Sequence, residues 1–222
     1  MYIQNRFLFM GYKALFIILC LTGLYLNSGL PDGQIRWGVL NYYTIQSNIL
    51  CLIYFICSFC WNLQSLRLEN RVYTYAPGFK GAIVFAITVT GLIYHFILVP
   101  VQFSMGNGAQ VYSPGNILVH YVIPLMVVFD WFLFDRKGNY KIYDPFLWVF
   151  IPYAYFIFAV IRAQTGGNIP GTHSRYPYGF INVDTLGWEQ VLLNVGKLTL
   201  IFLVIGYIYY FMDHLMKKKM SI

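Results

Sequence analysis

The stretch "NYYTIQSNILCLIYFICSFCWNL", residues 41–63, places Thr44, Gln46, Ser47 and Asn48 at the head of an apolar run. As a helix, 42–63 is long enough to cross hydrocarbon, which takes about 20 mostly apolar residues. Five further stretches meet the same length and polarity: 8–26, 81–103, 117–133, 145–160 and 191–212. The chain is 59% hydrophobic and 10% charged, against roughly 25% charged in an average soluble domain, which excludes the soluble globular classes. The expected fold is an all-α integral membrane protein, a bundle of six transmembrane helices making one polytopic domain over residues 1–222. No length remains for a separate soluble domain, so any chemistry must be built from helices and short loops.

The net charge of +7 does not read as a nucleic-acid surface, because the cations alternate along the chain. Arg6, Lys13, Arg67, Arg71, Lys80, Arg136, Lys137, Lys141 and Lys217 to Lys219 fall near one set of span ends, and Arg36, Arg162 and Arg175 near the other. That asymmetry predicts both termini in the cytoplasm and a multi-pass protein of the cell membrane. Arg6 and Lys13 ahead of an apolar segment resemble a secretory signal, but "LYLNSGLPDG" lacks a small-x-small cleavage site, so an uncleaved first span is expected. Cys20, Cys51, Cys57 and Cys60 lie within expected spans and read as buried free thiols. The longest outer connection, "RAQTGGNIPGTHSRYPYGFINVDTLGWEQ", suits a folded cap, and Trp37, Tyr42, Tyr43, Tyr176, Tyr178 and Trp188 an outer aromatic belt.

Depth decides where chemistry can sit, since helical rise is about 1.5 Å per residue. The second and fourth spans descend from the same side, so Thr44 and His120 each lie about one turn in. Ser47, Asn48 and Cys51 continue the face of Thr44, and His120 shares a face with Asn116. His95 falls in the outer half of the third span, and Asn194 and Lys197 follow Gln190 down one face of the sixth. A single outward-opening polar cavity is therefore expected, because polar groups in hydrocarbon need partners or water. Asp130 lies deeper and is expected to meet a backbone or tryptophan donor, or to stay neutral.

A hydroxyl beside an imidazole is the minimum for nucleophilic acyl chemistry. Thr44 fits the nucleophile and His120 the general base. No carboxylate is expected near the ring, so an Asn, a Tyr hydroxyl or a backbone carbonyl must orient it. Ser47, Asn48, His95, Asn194, Lys197 and Arg162 are the candidates for oxyanion or substrate contacts, with Arg162 or Arg175 suited to a carboxylate. Two histidines and a threonine make a poor zinc site, so no metal and no cofactor are expected.

"NYYTIQSNIL", "NILVHYVIPLMVVFDW" and "YPYGFINVDTLGWEQVLLNVG" together resemble the androgen-induced and androgen-dependent TFPI-regulating protein family, particularly its bacterial branch. The similarity runs from the second span to the sixth. It implies an intramembrane threonine hydrolase that cleaves fatty acid esters of hydroxy fatty acids. The family threonine at the head of the second span corresponds to Thr44, and the histidine of an Asn-x-x-x-His run before a proline corresponds to His120 ahead of Pro124. Animal members carry a second histidine directly after the asparagine, where this chain has Ile117. The residues themselves indicate only a class of substrate, a membrane lipid or lipid-like ester with its ester near headgroup level. Two other classes stay open: a proton-coupled transporter using Asp130, His95 and Lys197, and a lipid-binding protein without hydrolase activity.

Overall fold

A computed structural model of the chain describes residues 3–65 and 74–218. Six helices are long and apolar enough to cross a membrane: α1 (Arg6–Asn27), α2 (Tyr43–Gln64), α3 (Pro77–Ser104), α4 (Pro114–Phe134), α5 (Asp144–Thr165) and α6 (Val183–Lys217). Among the described residues there is no strand. We therefore read the chain as a multi-pass membrane protein. Arg67, Arg71 and Lys219 of the charge pattern lie outside the described residues.

Local signals set the helix ends. Asn5 caps α1 by accepting from the Leu8 amide at 3.1 Å, and Ser113 caps α4 ahead of Pro114, whose fixed φ suits a first turn. The sixth helix begins at Val183 rather than near 191, because Asn182 Oδ1 accepts from the Asp184 amide at 3.0 Å and starts a turn within the expected loop. Gly187, at φ 72°, then bends the chain into the span proper, a conformation that a β-carbon would strain.

The helix α3 is the hub. Half of its apolar window is buried, against 17% for α6, and it packs against α2, α4, α5 and α6. With α1 closing the α2–α4 side, the core is an aromatic and aliphatic layer in which Phe16, Phe55, Ile83, Phe85, Ile87, Ile123 and Val127 have no exposed surface. Gly81 lets α5 approach: a β-carbon there would overlap Trp148 and come within 2.8 Å of the Tyr140 ring.

Asp130 has partners that the sequence reading did not assign to it. It is fully buried and bonds Lys13 of α1 at 2.7 Å and Lys80 of α3. Both lysines are 1% exposed, so they are core residues and not the interfacial flanks that the charge pattern suggested. Their ammonium groups lie against aromatic faces, Lys13 at 4.1 Å and Lys80 at 4.6 Å from the Phe55 ring centre. Both ammonium groups meet one carboxylate oxygen, Oδ2, which pins three helices, while the buried Oδ1 has no partner among the described residues. This triad lies at the end of the bundle that holds both chain termini, where the Ile3 amide bonds the Leu133 carbonyl and Lys217 packs on Gly138.

Other expectations change. Cys20 and Cys51 are buried free thiols, but Cys57 and Cys60 are exposed on the outer side of α2. Trp37 and Trp188 are exposed as a belt requires, whereas Tyr43, Tyr176 and Tyr178 point inward and are buried.

Removing one member of a buried ion pair costs about 3–5 kcal/mol, and each kcal/mol is worth roughly 2–4 °C in a protein of this size. Asp130→Asn is expected to lower the thermal midpoint in detergent by roughly 10 °C or more, and Lys13→Met by clearly less, since it leaves a one-to-one pair. Equal shifts, or an unshifted Asp130→Asn, contradict the triad. At Gly81, overpacking of about 1–3 kcal/mol outweighs the gain in helix propensity of about 1 kcal/mol, so Gly81→Ala is destabilising. A midpoint at or above wild type contradicts that close approach.

Candidate functional site

The head of α2 meets α4 where both expose polar groups. Thr44 Oγ1 lies 3.1 Å from His120 Nε2, and both residues are 7% exposed. The other ring nitrogen, Nδ1, lies 3.1 Å from the Asn116 carbonyl oxygen. A carbonyl oxygen only accepts, so Nδ1 carries the proton. A neutral ring then turns the Nε2 lone pair to the Thr44 hydroxyl, which donates. The group that orients His120 is thus a main-chain carbonyl one turn earlier in the same helix.

Prolines shape this part of the backbone. His120 sits in a π-helical segment, Leu118–Val122, just ahead of Pro124, and a second one, Tyr94–Leu98, precedes Pro100 in α3. A proline lacks the amide that would bond four residues back and crowds that carbonyl, so the helix widens. The carbonyl four residues before Pro124 belongs to His120, and it lies against Gly91, where a β-carbon would be 3.2 Å away. The widened segment also carries the imidazole into a parallel stack on Tyr94, with ring centres 3.5 Å apart and 14° between planes. The ring is clamped by Tyr94 on its face, by Asn116 at Nδ1 and by Thr44 at Nε2.

Asn48 holds the two helices in register. Its amide donates to the Thr44 carbonyl at 2.7 Å and across to the Val119 carbonyl at 3.0 Å. Ser47 bonds the Thr44 carbonyl at 3.0 Å and meets the Thr90 hydroxyl of α3 at 2.7 Å. Both Asn48 amide hydrogens are committed to the main chain, so Asn48 is a clamp with no hydrogen left for an oxyanion.

The remaining candidates stand apart from this cluster. His95 is exposed, with Nδ1 3.1 Å from the Tyr121 hydroxyl. Asn194 donates to the Phe180 carbonyl and accepts from Gln190. Lys197 is on the exposed face of α6. Arg162 holds the cap, donating to the carbonyls of Gly167 and Arg175 at 2.7 and 3.0 Å, while Arg175 pairs with Asp184. The single cavity expected from depth is therefore smaller in polar content: Thr44, Ser47, Asn48 and His120 come together, joined by Thr90, whereas His95, Asn194, Lys197 and Arg162 do not. Depth places residues along a helix axis but says nothing of the angle between faces. Among the described residues, no three His, Cys, Asp or Glu side chains gather as a metal site requires.

Thr44 has a second side. It lines a pocket between α3, α5, α6 and the cap, with an empty volume of about 700 Å³ that includes the space at its mouth. The walls are nearly all apolar, with Val89, Ile93, Phe156, Leu198 and Phe202 among them. At its exposed edge, the Tyr153 hydroxyl of α5 meets the Thr199 hydroxyl of α6 at 2.8 Å. His120 is not itself part of the pocket wall.

Tyr178 and Tyr155 complete the site, and the sequence reading gave neither a place in it. The Tyr178 phenol lines the pocket together with Thr44, its ring 5.8 Å from that of Tyr42. Burial pushes it up to about 12, so it keeps its proton at neutral pH. The Tyr155 hydroxyl donates to the Asn41 carbonyl at 2.8 Å, beside Tyr178. A polar chain thus runs from the Asn116 carbonyl through His120 to Thr44, with Tyr178 and Tyr155 beside it.

No protein-family model matches the chain, no curated protein matches it, and no solved structure matches it.

Proposed function

We propose that the protein is an intramembrane threonine hydrolase that cleaves the ester bond of an amphiphilic lipid. The observation that carries this reading is the geometry of Thr44: its hydroxyl faces a correctly protonated imidazole at 3.1 Å on one side and an apolar pocket on the other. A nucleophile needs both a base to take its proton and room for the carbonyl carbon in front of it.

In this mechanism Thr44 Oγ1 attacks the ester carbonyl carbon while its proton passes to His120 Nε2. The charge that develops on the former carbonyl oxygen is met by hydrogen-bond donors beside Thr44. When the tetrahedral intermediate collapses, the ester C–O bond breaks and His120 returns the proton to the leaving alcohol. Water then attacks the acyl-Thr44 ester, again giving a proton to His120, and the fatty acid leaves as Thr44 regains its hydrogen. The Asn116 carbonyl stabilises the imidazolium in both halves, as a carboxylate does in a Ser-His-Asp triad, with less charge.

The apolar pocket walls favour acyl chains, and a site about one turn below the end of α2 favours an ester near headgroup level. Resemblance to the androgen-induced and androgen-dependent TFPI-regulating proteins supports fatty acid esters of hydroxy fatty acids as the substrate type. In our reading the chain lies in the cell membrane with both termini in the cytoplasm, which places Thr44 in the outer half of the bilayer. Arg136, Lys141 and Lys217 near the terminal end support that orientation, although Lys13 and Lys80 no longer count toward it. Transport has weaker support. Fully buried Ile83, Ile87, Ile123 and Val127 separate the Thr44 layer from the Asp130 triad, and a proton route would need polar groups there.

Purified protein in micelles, given a fluorogenic long-chain acyl ester and a fatty acid ester of a hydroxy fatty acid, tests this directly. Thr44→Ala and His120→Ala are expected to lower kcat/KM by roughly 10³-fold or more while the protein stays folded, and Thr44→Ser to retain measurable turnover. Turnover by Thr44→Ala at the wild-type rate would sink the hydrolase reading.

A further inference from the structure

A threonine and a histidine are not sufficient for ester cleavage, because the oxyanion formed in the pocket must be met by donors already in place. The obvious side chains are unavailable: the Asn48 hydrogens are committed to main-chain carbonyls, and Asn194 and Lys197 lie elsewhere.

The first turn of α2 offers other donors. Leading amides of a helix have no partner within it. The amides of Ile45 and Gln46 bond the Tyr42 carbonyl, whereas those of Tyr43 and Thr44 lead the helix with no main-chain acceptor, beside Tyr178. Tyr178 and Thr44 line one pocket. The position of Tyr178 is fixed from all sides. The ring stacks on Phe180 with 7° between planes, meets Tyr42 and Tyr155 at 5.8 and 6.1 Å, and is 9% exposed. Its main-chain carbonyl accepts from Ile181 in the tight turn that follows. A phenol held this firmly in the same pocket wall as the nucleophile, next to the leading amides of α2, sits where a substrate's carbonyl oxygen would be met.

We propose that Tyr178 is a further catalytic residue, whose phenol O–H completes an oxyanion site with the amides of Tyr43 and Thr44. The inference rests on the hydrolase reading above and deepens it. In the resting protein the phenol lies at the head of α2, beside the two amides. On substrate binding the carbonyl oxygen takes those amides, and the phenol turns its hydrogen to the same oxygen. The phenol gives up no proton: it donates a hydrogen bond that strengthens as the carbonyl becomes an alkoxide. The cap loop thereby supplies one of the three donors.

The test compares Tyr178→Phe with Tyr176→Phe, a change in the same cap at a buried hydroxyl that has no partner. With the fluorogenic long-chain ester in micelles, Tyr178→Phe is expected to lower kcat by about 10²-fold, with KM within about threefold, as loss of one oxyanion donor does. Tyr176→Phe is expected to turn over as wild type does. Burst titration counts competent sites, so that kcat is read per site. Wild-type kcat in Tyr178→Phe, or higher kcat as removal of a plug would give, overturns the proposal. A loss confined to the number of competent sites also overturns it, making Tyr178 a packing residue. In the last three cases Thr44→Ala stays inactive and the hydrolase reading survives, whereas absence of turnover by wild type overturns both.

Discussion

An imidazole can face a hydroxyl inside hydrocarbon only if its other nitrogen also has a partner there. In this protein that partner is the Asn116 carbonyl, and much of the site follows from it. The carbonyl fixes the proton on Nδ1, which leaves Nε2 to accept from Thr44. Widening of α4 ahead of Pro124 places the ring against Tyr94, and Gly91 lets α3 come close enough for that stack to form. Asn48 then ties α2 to the same turn of α4. Each contact is polar or steric and short in range, so the pair depends on helix registry to within a fraction of a turn.

A second registry constraint acts at the opposite end. The Asp130 triad joins α1, α3 and α4 through one carboxylate, in surroundings where an unpaired charge would be very costly. It fixes how far these helices slide past one another, and the aromatic core between triad and site passes that constraint along. A bundle in lipid has little hydrophobic drive between its helices, so packing and polar contacts must supply the specificity. The buried charges lie at one end and the Thr44–His120 pair at the other, with an apolar layer between them.

Six helices of spanning length and the shared depth of Thr44 and His120 were legible because hydrophobic length and helical rise are one-dimensional properties. Contacts between faces were not. Lys13 and Lys80 read as flanks because a lysine near a span end usually reaches for headgroups, and nothing local announces a carboxylate on another helix. Lys197 read as a cavity residue because depth alone admitted it. Tyr178 was missed for a different reason. It sits in a loop without periodicity, where "YPYGF" suggested interfacial anchoring, and only the turn through Gly179 and the stack on Phe180 direct it inward. The start of α6 at Val183 carried a signal in Asn182, a capping residue, which the neighbouring glycines and prolines obscured.

The central claim is that Thr44 is a nucleophile activated by His120 and open to a lipid pocket. Labelling of folded, detergent-purified protein with a lipid-like fluorophosphonate, followed by mapping of the modified residue by mass spectrometry, tests it most directly. The account predicts modification at Thr44 that is lost in Thr44→Ala and nearly lost in His120→Ala. Labelling elsewhere, or unchanged labelling in either variant, would contradict it.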